Sequence, residues 1–172
     1  MAAIYIRQAI ETDLPRIMEI INQAKALLKA DGSPQWQNGK PNEDVLTEDI
    51  NQKHCWVLMV GNEIAGTATL LDIDDPNYAQ IDGNWITDGV PYTTIHRIAL
   101  SADFRGQHLS DFFFSNLISL SLQKGFSTIR IDTHALNQRM QHLIQKNGFE
   151  FCGIVHVEPG KDGERKAYEL QL

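Results

Sequence analysis

The stretch HRIALSADFRGQHLSDFFFSNL, residues 96–117, begins as a strand, crosses a polar turn and ends as an apolar helix. The apolar residues up to Leu100 fit a pleated strand. Beyond the turn, Leu109, Phe112, Phe113, Leu117 and Leu120 recur at helical spacing and form one side of a helix over residues 109–125. A strand feeding directly into a helix presents the helix's free N–H groups at the edge of the sheet. Those donors, with the partial positive charge of the helix N-terminus, favour an anion such as phosphate. Arg105 stands just ahead of the helix and can add a charge-assisted contact. Gly106 lets a ligand approach the backbone closely. The junction reads as an anion cradle.

Upstream, Ile4–Gln8 reads as a short strand. Residues 12–32 read as a helix, with Thr12 or Asp13 as its cap, Pro15 in its first turn and Gly32 just past its end. Leu14, Ile17, Ile21, Ala24 and Leu28 mark its buried face. GSPQWQNGKP, residues 32–41, is turn-rich. A second, polar helix follows over 42–53, turning Val45, Leu46 and Ile50 inward. HCWVLMV and EIAGTATLLDI flank a Gly-Asn turn and predict a hairpin. Residues 74–91 are an insertion of mixed character.

Downstream come a strand over 127–133, a helix over 137–147 and two further strands. The order is β-α-α-β-β-insertion-β-α-β-α-β-β. Its central β-α-β stretch, Thr93–Thr133, predicts a parallel crossover, and the flanking hairpins predict antiparallel pairs. The expected fold is α/β: one domain over 1–172, with a seven-stranded, mixed, largely antiparallel sheet and helices on both faces.

The chain has 172 residues, enough for one substantial core. A formal charge of −7 argues against a general nucleic-acid binder and is compatible with a cationic substrate. No run of 18 apolar residues exists, so no membrane span is expected. The first residues lack the pattern of a secretion signal, which gives a cytoplasmic expectation. Cys55 and Cys152 form no CxxC pair and read as buried thiols, with a catalytic thiol as the alternative. The six histidines fall into no HxH or HExxH pattern, so no metal is expected.

RGQHLS, residues 105–110, resembles the acetyl-coenzyme A signature of the GNAT N-acetyltransferases: Arg or Gln, two residues, Gly, one residue, then Gly or Ala. Arg105 matches its first position. His108 and Ser110 stand where the two small residues belong, and both depart from the pattern. NQRMQHLIQKNGFEFCG, residues 137–153, resembles the family's later motif, in which Asn137 opens a helix that ends in Gly148-Phe149 before a strand. IHRIAL and IRIDTHALNQRM further resemble a bacterial subgroup of the family whose substrates are unassigned.

The resemblance implies transfer of an acetyl group from acetyl-coenzyme A to a primary amine of a small molecule or peptide, in a ternary complex. It assigns Arg105, Gly106, Gln107, His108, Leu109 and Ser110 to the diphosphate. It assigns the backbone of Ile98, Ala99 and Leu100 to the pantetheine, lying beside the strand like an added one, and to the oxyanion. Asn137 would meet the cofactor near the later helix. Homodimers are frequent in the family. A tyrosine often stands four residues before the Gly of Gly-Phe to protonate the leaving thiolate; Ile144 occupies that place here. Tyr168, Ser110 or a water are its substitutes.

Several residues are candidates for the general base. His96 and Asp132 fall on neighbouring strands and serve either as base and partner or as hydrogen-bonded sheet residues. His134 is a further candidate. Trp36, Tyr78, Trp85 and Tyr92 form either a cation–π box for the amine or anchors for their loops. Arg97 and Arg130 serve either a substrate carboxylate or structural pairs. The alternative to an active enzyme is an inactive acyl-coenzyme A-binding or regulatory module on the same fold. A dinucleotide fold is disfavoured, since the first strand is followed by no glycine-rich turn.

Overall fold

The computed structural model describes residues 1–172. Eight strands form one sheet: β1 (Ile4–Gln8), β2 (Cys55–Val60), β3 (Glu63–Leu71), β4 (Asp82–Gly83), β5 (Thr93–Leu100), β6 (Thr128–Thr133), β7 (Glu150–His156) and β8 (Glu164–Gln171). Their order is β1-β2-β3-β5-β6-β8-β7-β4. The β5–β6 pair is parallel and every other pair is antiparallel. The helices are α1 (Leu14–Ala30), α2 (Glu43–Asn51), α3 (Leu109–Gln123) and α4 (Gln138–Lys146).

The expected seven strands become eight because the insertion supplies β4, which pairs with β7. Two residues sufficed because Gly83 and Gly153 face each other. A Cβ on either would overlap the opposite backbone. No composition signal marks so short a strand.

Two apolar layers hold the sheet. On one face, Ile17, Ile20 and Ile21 of α1 and Leu46 and Ile50 of α2 pack on Val57 and Met59 of β2. On the other, Leu109, Phe113, Phe114 and Leu117 of α3 and Ile144 of α4 pack on Leu58, Ile95, Ile129 and Ile131. Phe112, expected inside, is 48% exposed, and Phe114 takes its place. In the run Phe112-Phe113-Phe114, the buried ridge is Leu109-Phe113-Leu117 at four-residue spacing, which turns Phe112 outward.

Helix ends follow their local chemistry. Asn42 caps α2 by accepting from the Val45 amide at 3.0 Å. Asp13 does not cap α1, contrary to expectation. Its carboxylate instead takes a two-pronged hydrogen bond from Arg7 at 2.7 and 3.0 Å and the Ile10 amide at 2.8 Å. The Arg7 bond is the main reason Asp13 titrates below the usual carboxylate range. The two thiols are buried and unpaired. Burial pushes Cys55 up to about 11, so it carries no thiolate near neutral pH.

Candidate active site

Strands β5 and β6 pair only at Thr93↔Ile129 and Thr94↔Arg130. Beyond that point they part. β6 stays paired with β8 as far as Thr133, and β5 stays paired with β3 as far as Leu100. The edge of β5 that faces β6 is therefore without a ladder from Ile95 onward. A cleft of about 970 Å³ opens between the two strands. Residues 95–102 form one wall, and Ile131, Asp132 and Thr133 with Asn137, Met140 and Leu143 form another.

A bulge shapes the first wall. Thr69 pairs with His96 but Thr67 pairs with Ala99, so Arg97 and Ile98 oppose the single residue Ala68. Arg97 takes a left-handed φ of 49°. Its guanidinium is clamped on Asp49 of α2 at 2.7 and 2.8 Å. Asp49 also accepts from the Thr69 hydroxyl at 2.7 Å. Arg97 borders the cleft, but its charge is already answered, so the structural alternative describes this side chain.

The turn after β5 is held from α1. Arg16 donates to Ser101 Oγ at 2.9 Å and to Asp103 at 3.1 Å. Gln23 accepts from the Ala102 amide at 2.9 Å. Gly106 (φ 79°) and His108 (φ 56°) then reverse the chain into α3. His108 is the residue before the helix, and no side chain caps it. The first-turn N–H groups of α3 thus lack a side-chain acceptor beside the cleft, where Arg105, Gly106, His108, Leu109 and Ser110 all stand. Gln107 is exposed and outside the lining. Asp111, the acid of the first turn, is paired with Lys146 at 2.7 Å.

The backbone at residue 108 explains why a small residue fits the signature there. A side chain in the left-handed region costs about 1–2 kcal/mol, though His tolerates it better than most. His108→Gly is expected to raise the melting temperature by about 1–3 °C. His108→Ala, which keeps the strain, is expected to give no rise. Differential scanning calorimetry of the two variants checks this.

At the other end of the cleft the insertion lies over the sheet. Parallel pairing of Thr94 with Arg130 puts His96 and Asp132 on one face. They do not bond to each other. His96 Nε2 meets Asp75 Oδ2 at 2.8 Å, which leaves Nδ1 as the free ring nitrogen. Tyr78 donates to Asp132 at 2.6 Å. Asp75 is itself ordered: its other oxygen accepts from the Asn77 amide at 2.8 Å, and its own amide donates to the Tyr92 hydroxyl at 3.0 Å. Burial alone would raise the Asp75 carboxyl. Hydrogen bonds from His96 and the Asn77 amide, with the charges of His96 and Arg97, outweigh it and leave the group below its ordinary value. Burial and the charge of Asp132 push the Tyr78 phenol far up, so it remains a donor.

The aromatic box exists, but the protein fills it. The Arg130 guanidinium lies 4.1 Å from the ring centres of both Trp85 and Tyr92. Arg130 also binds the buried Glu169 at 2.8 Å and the Thr87 carbonyl at 3.1 Å. Trp85, Tyr92 and the fully covered Tyr78 are outside the cleft lining and anchor the insertion. Trp36 alone of the four borders the cleft. His134 is also outside it, with Nδ1 accepting from the Leu136 amide at 3.1 Å, and burial followed by the charge of Arg165 lowers its pKa. Asn137 borders the cleft and caps α4, its oxygen accepting from the Met140 amide at 3.2 Å. Ile144 is in the apolar core, and Tyr168 is buried away from the cleft, which leaves Ser110 as the only hydroxyl among the named substitutes that reaches it.

Sequence reading missed Asp75, Gln35 and Arg165. Asp75-Pro76 is a cap signal, since an acidic residue before a proline at a first helical position opens a short helix. That signal announces the hydrogen bond to Asn77 but not the one to His96. Gln35 gathers Thr133 Oγ1, the His134 amide and Asn137 Nδ2, each at 3.3 Å, and ties the 33–41 loop across the cleft. Such long-range contacts leave no local trace.

A mixed sheet parted beside an uncapped helix, with a bulge on the first of the two splayed strands, is the frame this chain shares with the acetyltransferase class. The chain belongs to the acetyltransferase (GNAT) family, whose model matches residues 18–149. The fold is shared with a GNAT-family acetyltransferase of Streptococcus agalactiae at 35% identity and a TM-score of 0.88, over 98% of this chain and 95% of that one. A GNAT-family acetyltransferase of Listeria monocytogenes is 20% identical over 100% of this chain and 98% of that one, with a TM-score of 0.75. AAC(6')-Ib, solved with ribostamycin and coenzyme A, is 19% identical over 98% and 93% of the two chains, with a TM-score of 0.70. No curated protein matches the sequence.

Proposed function

We propose that this chain binds acetyl-coenzyme A in the cleft and transfers its acetyl group to a primary amine. The observation that carries the reading is the parting of β5 from β6 beside the uncapped N-terminus of α3. Acetyl-coenzyme A supplies the activated acetyl thioester. The α3 amides and Arg105 receive its diphosphate, and the open edge of β5 at residues 98–100 offers backbone partners to the pantetheine. The coenzyme A bound to AAC(6')-Ib supports this choice of cosubstrate.

At the acceptor end, His96 is the general base. Asp75 holds Nε2, so Nδ1 faces the amine and takes its proton. The amine nitrogen bonds to the acetyl carbon, the carbon–sulfur bond breaks, and its electron pair leaves on sulfur. A thiol titrates near 8.5 by comparison with Cys, so the thiolate departs without the tyrosine that Ile144 replaces. Asp132, held by Tyr78, places a carboxylate beside the incoming ammonium.

The expected result is that acetyl-coenzyme A raises the melting temperature and that Ser110→Trp, which fills the first turn of α3, abolishes the rise. Thiol release is then measured over amines, amino acids and peptides. No binding at millimolar concentration overturns the reading. Binding without thiol release on any acceptor points to the regulatory module, which the buried Ile144 at the acid position favours.

A further inference from the structure

Arg97 and Arg130 are bound to buried carboxylates. Arg165, on β8, is different. It is 7% exposed and borders the cleft, yet no carboxylate lies within ion-pairing distance of it. Its Nη1 donates to the carbonyls of Asp162 at 2.7 Å and Glu164 at 2.9 Å. Its Nε and Nη2 make no hydrogen bond within the chain, and neither is a fully buried atom. A guanidinium cannot escape burial by losing its proton. Burial lowers its pKa against the opposing fields of the Asp132, Glu158 and Asp162 carboxylates, none of which forms an ion pair with it.

The sheet register shows where that charge points. Asp132 pairs with Ala167, so Arg165, two residues along β8, shares a face with Asp132. His96 is on the same face of β5. One face of the cleft therefore presents a base, the Asp132 carboxylate and, two residues along the register, a planar cation with no ion-paired carboxylate. A guanidinium with two free edge donors matches a carboxylate.

Resting on the acetyltransferase reading, we infer that the acceptor is an amine that also carries a carboxylate, and that Arg165 binds that carboxylate. His96 and Arg165 come from strands on either side of β6, so the separation of the two groups in the best acceptor is an outcome of the panel below.

The test uses the full chain loaded with coenzyme A and matched pairs: alanine and ethylamine, lysine and cadaverine, glycylglycine and its C-terminal amide. Calorimetry is expected to show at least one pair in which the carboxylate member binds about 10- to 100-fold more tightly. Arg165→Gln is expected to remove that preference, while Arg165→Lys keeps part of it. Where acetyl transfer is seen, Arg165→Gln is expected to raise KM for the carboxylate acceptor about 10-fold or more, with kcat and the KM for acetyl-coenzyme A unchanged. No carboxylate preference in any pair, or a preference that survives Arg165→Gln, overturns the inference. A preference for phosphoethanolamine over every carboxylate also overturns it. Failure of the wild type to bind coenzyme A instead overturns the acetyltransferase reading, so the two failures are distinct.

Discussion

Replacing Glu169 by Gln is expected to destabilise the fold by about 3–5 kcal/mol, because a buried charge loses its only counter-ion. Glu169 is fully buried and accepts from Arg130 at 2.8 Å, from the Thr87 amide at 2.8 Å and from the Thr87 hydroxyl at 2.9 Å. Arg130 would stay clamped between Trp85 and Tyr92 with its charge uncompensated. For a chain of this size the melting temperature should fall by roughly 10 °C. The double variant Arg130→Met, Glu169→Leu is expected to recover much of the loss, since it removes both charges and keeps apolar volume against the rings. Thermal unfolding of the single and double variants, followed by circular dichroism, checks both expectations. If Glu169→Gln melts like the wild type, the insertion is held by something other than this pair.

His96→Gln is expected to lower kcat/KM for acetyl transfer by about 10²- to 10⁴-fold, the usual contribution of a general base. The pH profile separates this role from a structural one. Hydrogen bonds from His96 and the Asn77 amide outweigh burial and hold Asp75 below the ordinary carboxylate value, so it stays ionised across the assayed range. As the general base, His96 must be unprotonated to take the amine's proton, so the rate is expected to fall on acidification. His96→Gln should flatten that limb. Asp75→Asn removes the carboxylate that holds Nε2, so it should lower the rate while leaving a limb in place. Rates measured from pH 5 to pH 9 on the three proteins decide it. An unchanged limb in His96→Gln would assign the proton to another group.

The order of elements, the parallel crossover and the turn that opens α3 were legible because each rests on a local signal: periodicity, a cap or a glycine. The same holds for the buried thiols. What stayed hidden was pairing at a distance. Arg97, Arg130 and Arg165 look alike in the sequence; only the fold shows that Asp49 pairs with the first and Glu169 with the second, while the third has no ion-paired carboxylate. Trp85 and Tyr92 form a box, but Arg130 already occupies the space between them, and of the four aromatic residues only Trp36 borders the cleft. His96 and Asp132 share a face, as expected of adjacent strands. Each found its partner in the insertion, where neither strand nor helix periodicity gives guidance. The bulge at Arg97 was invisible for a related reason, since its left-handed backbone is held by the long-range clamp on Asp49 and no glycine marks it.

Amide hydrogen exchange, with and without coenzyme A, bears most directly on the parted strands and the open helix end. Protection is expected in two places only: residues 105–111, where the first α3 amides receive the diphosphate, and residues 98–100 along the free edge of β5. If those amides exchange at the same rate with saturating coenzyme A as without it, the assignment of this cleft to the cosubstrate is wrong.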